Sequence, residues 1–381
     1  MRLLHEVLPA LLAALGVPGE LGVPGALGVP GERAALDVPD ARSACLLLID
    51  GLGWHLLRDH AADAPFLAAL AEGTEPLSVG FPATTATSIA SLGTGRPSGE
   101  HGITGYTFVA RSGVVLNALT WCSQSGVDLR GSAVPEQVQP HDTVLQRAAA
   151  AGLDVRVVAP PPQEGSGLTR AALRGGQFRA AHALGDLATG VLSGVSGRGF
   201  CYAYHGDLDV VGHRYGPGSL PWRLQLQLID RLVATIAERL PAGALLAVVA
   251  DHGMVELTDP VDADADERLR TGVWELAGEV RARHVHAAPG AAADVLATWR
   301  EVLGTRAQVL AREEAVAAGW FGPTVADGVR ERIGDVVVAA RRGAGVLRRA
   351  AEPRESAMVG HHGSLTDAEQ LVPFLLVTGT G

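Results

Sequence analysis

The chain has 381 residues, 47% of them hydrophobic, enough to bury a sizeable core in one large domain with room for an inserted smaller unit. Its net charge of −10 argues against wrapping nucleic acid or adhering to an anionic membrane. Arginine is the only strong base, since lysine is absent, and alanine and glycine are heavily used. That is the mark of coding bias, so Ala-rich stretches carry no functional signal.

The first segment, MRLLHEVLPALLAALGV, has apolar positions at helical spacing and Glu6 after a single arginine. It reads as a short amphipathic helix rather than a signal peptide. Residues 15–32 repeat a Gly-Val-Pro-Gly unit and read as a turn-rich linker. A buried strand follows over Ala44–Ile49, ending in Asp50-Gly51-Leu52-Gly53, and then a helical pattern from Trp54 to Leu70. Further strands are expected over Val155–Ala159, Gly199–His205, Leu245–Ala250 and Leu371–Val377, alternating with helical segments near 143–151, 180–194 and 222–240. This alternation specifies an α/β fold with a doubly wound, largely parallel sheet.

Between residues 255 and 355 the texture changes. Val273–His286 alternates like a half-exposed strand, Ala291–Leu303 like an amphipathic helix, and Arg306–Ala311 and Gly334–Ala340 like further strands. The expected division is therefore an N-terminal helix and linker (1–43), a metal-binding α/β core (44–255 and 356–381) and an inserted α+β cap (256–355). No apolar run of about 20 residues is present, so no membrane span is expected. The three cysteines, Cys45, Cys122 and Cys201, are scattered and odd in number, which fits a reducing cytoplasm.

The chemistry gathers at strand ends. Asp50 follows the first strand, Asp209 and His213 lie four apart where both can face one point, Asp251-His252 follows the wholly apolar fourth strand, and His361-His362-Gly363 precedes the last. Carboxylates and imidazoles converging at one sheet edge suit zinc, with manganese or iron as alternatives. Two such ions about 4 Å apart form a clamp for phosphoryl displacement. Phe81-Pro82-Ala83-Thr84-Thr85 supplies hydroxyls at the start of a helix-like run, where the helix dipole favours a bound phosphate.

Taken in order, Asp50-Gly51, Phe81-Pro82-Ala83-Thr84-Thr85, Thr94-Gly95-Arg96-Pro97, His101-Gly102-Ile103, Asp209-Val-Val-Gly-His213, Asp251-His252-Gly253-Met254 and His362-Gly363 resemble the nucleotide pyrophosphatase/phosphodiesterase family of the alkaline phosphatase superfamily. The resemblance spans about residues 44–255 and 358–377. It implies an alkaline phosphatase-like core in which Asp50, Asp251 and His252 hold one ion, with Thr85 on it as nucleophile. Asp209, His213 and His362 would hold the other, His362 being chosen over His361 because the family's last ligand directly precedes glycine. It further implies hydrolysis of phosphate diesters or phosphoanhydrides in a small phosphorylated substrate, through a phospho-threonine intermediate. The alternatives are a phosphomonoesterase or phosphonate hydrolase with the same centre, and a metal-binding interaction module without catalysis.

Two positions depart from the family. Tyr106 stands where an asparagine commonly helps hold a phosphate oxygen, which makes Tyr106 the substrate-binding candidate. Ala86 replaces the aromatic residue that often stacks on a nucleobase. Other polar residues receive plain readings: Asp207 near the site but not a ligand, His101 a structural hydrogen-bonder, His284 and His286 exposed on the cap, and Asp262, Asp264 and Asp266 a solvated turn.

Overall fold

The computed structural model describes residues 2–17 and 36–380. The greater part of the Gly-Val-Pro-Gly repeat lies outside the described residues. Ten strands frame the architecture: β1 (Ser43–Ile49), β2 (Asp154–Ala159), β3 (Gln177–Ala180), β4 (Gly199–His205), β5 (Ala244–Val249), β6 (Val273–Glu279), β7 (Ala282–Ala287), β8 (Ala307–Ala311), β9 (Val336–Ala340) and β10 (Phe374–Thr378). The helices that matter are α1 (Val7–Ala14), α2 (Thr85–Thr94), α3 (Leu184–Gly194), α4 (Asp207–Tyr215), α5 (Leu220–Ala237) and α6 (Ala292–Leu303).

The central sheet runs β10-β5-β1-β4-β2-β3. All neighbours are parallel except the edge strand β10, which is antiparallel to β5. The fold is therefore α/β with a largely parallel sheet. β1 and β5 are buried along their whole length, as strands covered on both faces must be, which is why they read as continuous apolar runs. Their register pairs Leu48 with Tyr204 on one side and Val249 on the other. Carried two residues on, the same register brings Asp50 alongside Asp251. Two carboxylates thus leave adjacent strands at one level.

A second sheet, β6-β7-β9-β8, is antiparallel throughout and has its own apolar cluster around Trp299 of α6, Val285, Val336 and Val338. Among the described residues no helix is long and apolar enough to cross a membrane.

Several local expectations are corrected. The first helix is buried on nearly all sides: Leu4, Val7, Leu8 and Leu11 are fully enclosed in the same cluster as the central sheet. The pattern from Trp54 to Leu70 breaks into Trp54–Asp59 and Pro65–Ala71, the second opening on its proline, as Pro favours a first turn. The segment 180–194 is helical only from Leu184, and Gln177–Ala180 is an additional edge strand whose polar residues hid it. Leu371–Val377 is two strands, because Leu371–Val372 pairs with Leu77–Ser78 before β10 enters the main sheet.

Val273–His286 is a buried hairpin, β6 and β7, rather than one half-exposed strand. Its arginines imitate a solvent face in sequence, yet Arg281 and Arg283 are fully buried. Each is satisfied by a carboxylate from a distant segment: Arg281 bidentately by Glu369 and Arg283 by Glu352. His284 and His286 are likewise buried, not exposed. His284 donates Nε2–H to the Thr104 carbonyl at 3.0 Å and accepts the Gly334 N–H at Nδ1, while burial pushes its pKa down to about 3.

Candidate metal centre

The site is built where β1, β4 and β5 end. Asp50 and Asp251 close their strands, and the two loops touch through glycines: a Cβ at Gly253 would lie 2.0 Å from the Ala368 carbonyl oxygen and 3.0 Å from Gly53 Cα, and one at Gly53 would lie 2.8 Å from Gly253 Cα. Gly51 has φ +76 and packs against Asp209, where a side chain would be strained and crowded. The glycines after each ligand residue therefore serve close approach. The Gly51 N–H donates to Asp251 Oδ1 at 3.1 Å, tying the first loop to the second.

Asp50, Asp251 and His252 offer ligand atoms that all lie within 4.8 Å of one another, as do Asp209, His252 and His362. Asp209 and His213 share one face of α4, with His213 Nε2 3.3 Å from Asp209 Oδ2 and 3.3 Å from His362 Nε2. The His362 ring stacks on His252 with centroids 3.5 Å apart. All six side chains that the sequence put forward as ligands thus meet in one place.

The imidazoles are oriented alike. Nδ1 of His213, His252 and His362 lies 2.8, 3.0 and 2.9 Å from the carbonyls of Gly360, Gly253 and Ala83. With Nδ1–H donating to a main-chain carbonyl, each ring turns its Nε2 inward, the arrangement that metal-binding histidines adopt. His361 is the opposite case, since its Nε2 faces the Met358 carbonyl at 3.2 Å. His362, not His361, turns its Nε2 toward His213 and the cluster.

The charges fit the same reading. Asp50 Oδ1, Asp209 Oδ1 and Asp251 Oδ2 are buried without a hydrogen-bond partner. Burial, then the charge of Asp50, pushes Asp209 and Asp251 well above the usual carboxylate range. Burial works the same way on Asp50, but contacts to His252 and Tyr204 outweigh it and lower its pKa. For His252, burial acts downward, and Asp251, Asp50 and Asp209 overcome it to hold the pKa at about 10. Three buried carboxylates with one imidazolium between them lack positive charge, and orphaned oxygens cost several kcal/mol in order of magnitude unless a cation meets them. The donor set fits divalent metal ions.

Thr85 opens α2, and its Oγ1 lies 3.1 Å from His252 Nε2. Thr84 occupies the N-cap position but its side chain makes no cap hydrogen bond, so no side chain competes for the first-turn amides, the groups that can receive an anion at a helix start. Asp207 is exposed at the start of α4, and His101 is a structural residue that accepts the Ile103 N–H and pairs with Ser91 Oγ at 3.0 Å. The Tyr106 hydroxyl donates to Glu355 at 3.2 Å. Asp262 and Asp264 accept main-chain N–H groups within and beyond their turn.

Two residues near the centre escaped sequence reasoning. Tyr204 donates its hydroxyl to Asp50 Oδ2, leaving Oδ1 as the free ligand atom. Only its alternation within β4 could have placed it facing the site. Replacing Tyr204 with phenylalanine is expected to weaken metal binding about 10- to 100-fold without unfolding the chain; competition against a chromophoric chelator would read this, and unchanged affinity would contradict it. The other residue is Glu279, from the second sheet. Its Oε2 is 3.9 Å from His362 Nδ1, and burial raises its pKa to about 8. It lies in a segment whose alternation suggested only surface.

Comparison with known proteins bears on the family and the fold. A family model described as Type I phosphodiesterase / nucleotide pyrophosphatase matches residues 44–365. No curated protein sequence matches the chain. Among solved structures, human ectonucleotide pyrophosphatase / phosphodiesterase 5 is similar with a TM-score of 0.68 at 16% identity, over 87% of each chain. An inactive variant of the murine protein in complex with AMP scores 0.66 at 14% identity, again over 87% of each chain. Phosphonoacetate hydrolase from Sinorhizobium meliloti, in complex with phosphonoacetate, scores 0.66 at 19% identity over 92% of each chain.

Proposed function

Because the chain belongs to the type I phosphodiesterase / nucleotide pyrophosphatase family, we propose that it hydrolyses a diester or anhydride bond in a small phosphorylated substrate, with Thr85 as nucleophile beside two divalent ions. That it is a hydrolase of phosphoric ester bonds follows from the family. The observation that carries the finer reading is the shared orientation of three imidazoles, each held at Nδ1 by a carbonyl and aimed at carboxylates with orphaned oxygens.

In this reading Asp50, Asp251 and His252 hold one ion and Asp209, His213 and His362 the other, with zinc matching the mixed nitrogen and oxygen donors. The ions would lower the pKa of a nearby hydroxyl and neutralise a departing oxygen. The protein's own contribution is placement. Thr85 Oγ1 is fixed at the head of α2, beside the ligand cluster, so that it can attack phosphorus while the amides of the first helical turn receive the phosphoryl oxygens. The bond from Oγ1 to phosphorus forms as the bond to the leaving oxygen breaks, and water then cleaves the phospho-threonine. The proposed location is cytoplasmic, consistent with Cys45 and Cys201 as adjacent, unlinked thiols in the sheet.

A diester is favoured over a monoester by where two arginines go. A monoester's additional charge calls for a further cation, and Arg96 and Arg214 flank the motifs in sequence. Arg96 is instead paired with Glu100 at 2.6 Å, and Arg214 lies over the Tyr215 ring. We expect an aryl phosphodiester to be turned over at least about tenfold faster, as kcat/KM, than the matching monoester, the difference one unmet charge makes. The opposite preference would move the assignment to a phosphomonoesterase. Including a phosphonate in the same panel tests the remaining alternative, to which the likeness to phosphonoacetate hydrolase lends support.

A further inference from the structure

The 18-residue helix α5 is apolar on two opposite sides. Trp222, Leu226, Ile229 and Val233 form its inner face and are buried in the core beneath it. On the outer face, Leu220, Leu224 and Leu228 follow one another at four-residue spacing and are 67%, 50% and 54% exposed. Surface helices ordinarily carry charge there, as α6 does with the exposed Asp294, Arg300 and Glu301. A helix apolar on both sides belongs in an interior, and a contiguous row of leucines in water marks a contact surface.

The row is its own complement. Ridges of residues four apart on two helices interlock at an angle of about −50°. With two copies antiparallel about a two-fold axis through Leu224, that residue meets Leu224 of the partner subunit, and Leu220 meets the partner's Leu228. Every position in the row then finds leucine opposite.

Charge permits the same contact. Two chains of net charge −10 repel at long range, so approach is least unfavourable where carboxylates are missing. Asp230 is the one carboxylate of α5; it is buried and accepts the N–H groups of Phe66 and Leu67. The arginines flanking the row are already paired, Arg223 with Asp63 at 2.6 Å and Arg231 with Glu238 at 3.2 Å. The area is of the right order as well. The three leucines leave roughly 300 Å² of apolar surface in water on each chain. With the exposed Pro221, Gln227 and Arg231 as rim, two copies bury roughly 1,000 Å² in all, the lower end for a specific interface.

We infer that the outer face of α5 is a dimerisation surface, occupied by α5 of a second copy of this chain packed antiparallel across a two-fold axis at Leu224. Its modest area makes the dimer reversible, with a dissociation constant on the order of micromolar. The inference stands apart from the chemistry of the metal centre and does not rest on it.

Sedimentation equilibrium of the full-length chain between about 1 and about 100 μM tests it. Wild type is expected to pass from monomer to dimer across this range. Leu224→Glu is expected to raise the dissociation constant at least about 100-fold, because it sets two carboxylates face to face on the axis. Leu224 is half exposed and points away from the core, so this variant should keep the melting temperature and hydrolysis rate of the wild-type monomer. Leu224→Cys tests the geometry without that charge: oxidation with copper phenanthroline should join two chains at this position. Thr235→Cys, further along the same helix, should give no more than the wild-type background from the partly exposed Cys122. Wild type that stays monomeric throughout would overturn the inference. If that monomer sediments with phosphatidylcholine vesicles, the face belongs to a lipid surface instead; if not, it belongs to a different protein. A dimer that Leu224→Glu leaves intact, or equal cross-linking of the two cysteine variants, would put the contact elsewhere and overturn it too.

Discussion

Thr85→Ala is expected to lower hydrolysis of any accepted phosphodiester by about 1000-fold or more, while zinc content and melting temperature stay at wild-type values. The size follows from the nature of the step: a missing nucleophile leaves no oxygen to receive the phosphoryl group, and the binding and charge that remain account for only a residue of the rate. Retention of fold follows from position. Thr85 begins α2 without providing its cap, and its Oγ1 faces His252 rather than the apolar core. Thr84→Ala, one residue away, is expected to cost far less, below about tenfold, because its hydroxyl faces Glu279 and not the ligand cluster. The two variants assayed side by side discriminate the two threonines that the sequence offers. Full activity in Thr85→Ala with intact zinc would transfer the nucleophile elsewhere. No activity in wild type under any metal would favour the non-catalytic interaction module.

Removing the metal is expected to abolish activity and to leave a protein whose stability falls as pH rises. In the metal-free chain, His252 has its pKa raised from 6.5 to about 10 and Glu279 from 4.5 to about 8. For His252, burial acts downward and is outweighed by Asp251, Asp50 and Asp209; for Glu279, burial itself is the main cause. Both are raised above their unfolded values, so each contributes stability that is complete below the unfolded pKa and is lost as pH rises through the folded one. The windows are therefore pH 4.5 to about 8 for Glu279 and pH 6.5 to about 10 for His252, across which the folded state binds more protons than the unfolded chain. At about 1.4 kcal/mol per pKa unit, the loss across each is on the order of a few kcal/mol. Bound ions would take the place of those protons and flatten the profile, with mass-action stabilisation added on top. Melting curves with and without chelator at pH 6 and pH 9 read this directly: the chelator should matter much more at pH 9. Equal shifts at both values would mean that the cluster is not charged as described.

The two results are linked by the same geometry, but they fail separately. Loss of activity in Thr85→Ala depends on one hydroxyl at a helix start. The pH profile depends on an imidazole that three carboxylates keep protonated and on a carboxyl that burial keeps protonated.

What could be read from the sequence was what local pattern encodes. Apolar runs ending in Asp-Gly or Asp-His-Gly are strands buried on both faces with a polar residue forced out at the end, and β1 and β5 carry Asp50 and Asp251 in that way. The four-residue spacing of Asp209 and His213 puts both on one side of α4. Only the tertiary structure decided which nitrogen of each histidine turns inward, because that is set by carbonyls at Gly360, Gly253 and Ala83 that come from the loops meeting around the site. The same holds for the second sheet. Arg281, Arg283, His284 and His286 read as a wet face because polarity in a strand ordinarily means solvent, whereas all four are buried, and partners 69 to 180 residues away in the chain satisfy Arg281, Arg283 and His284 in the interior. Glu279 belongs to that class too: a carboxylate's neighbours across a domain boundary leave no trace in its own stretch of sequence, since burial of charge is decided by long-range pairing and not by local composition.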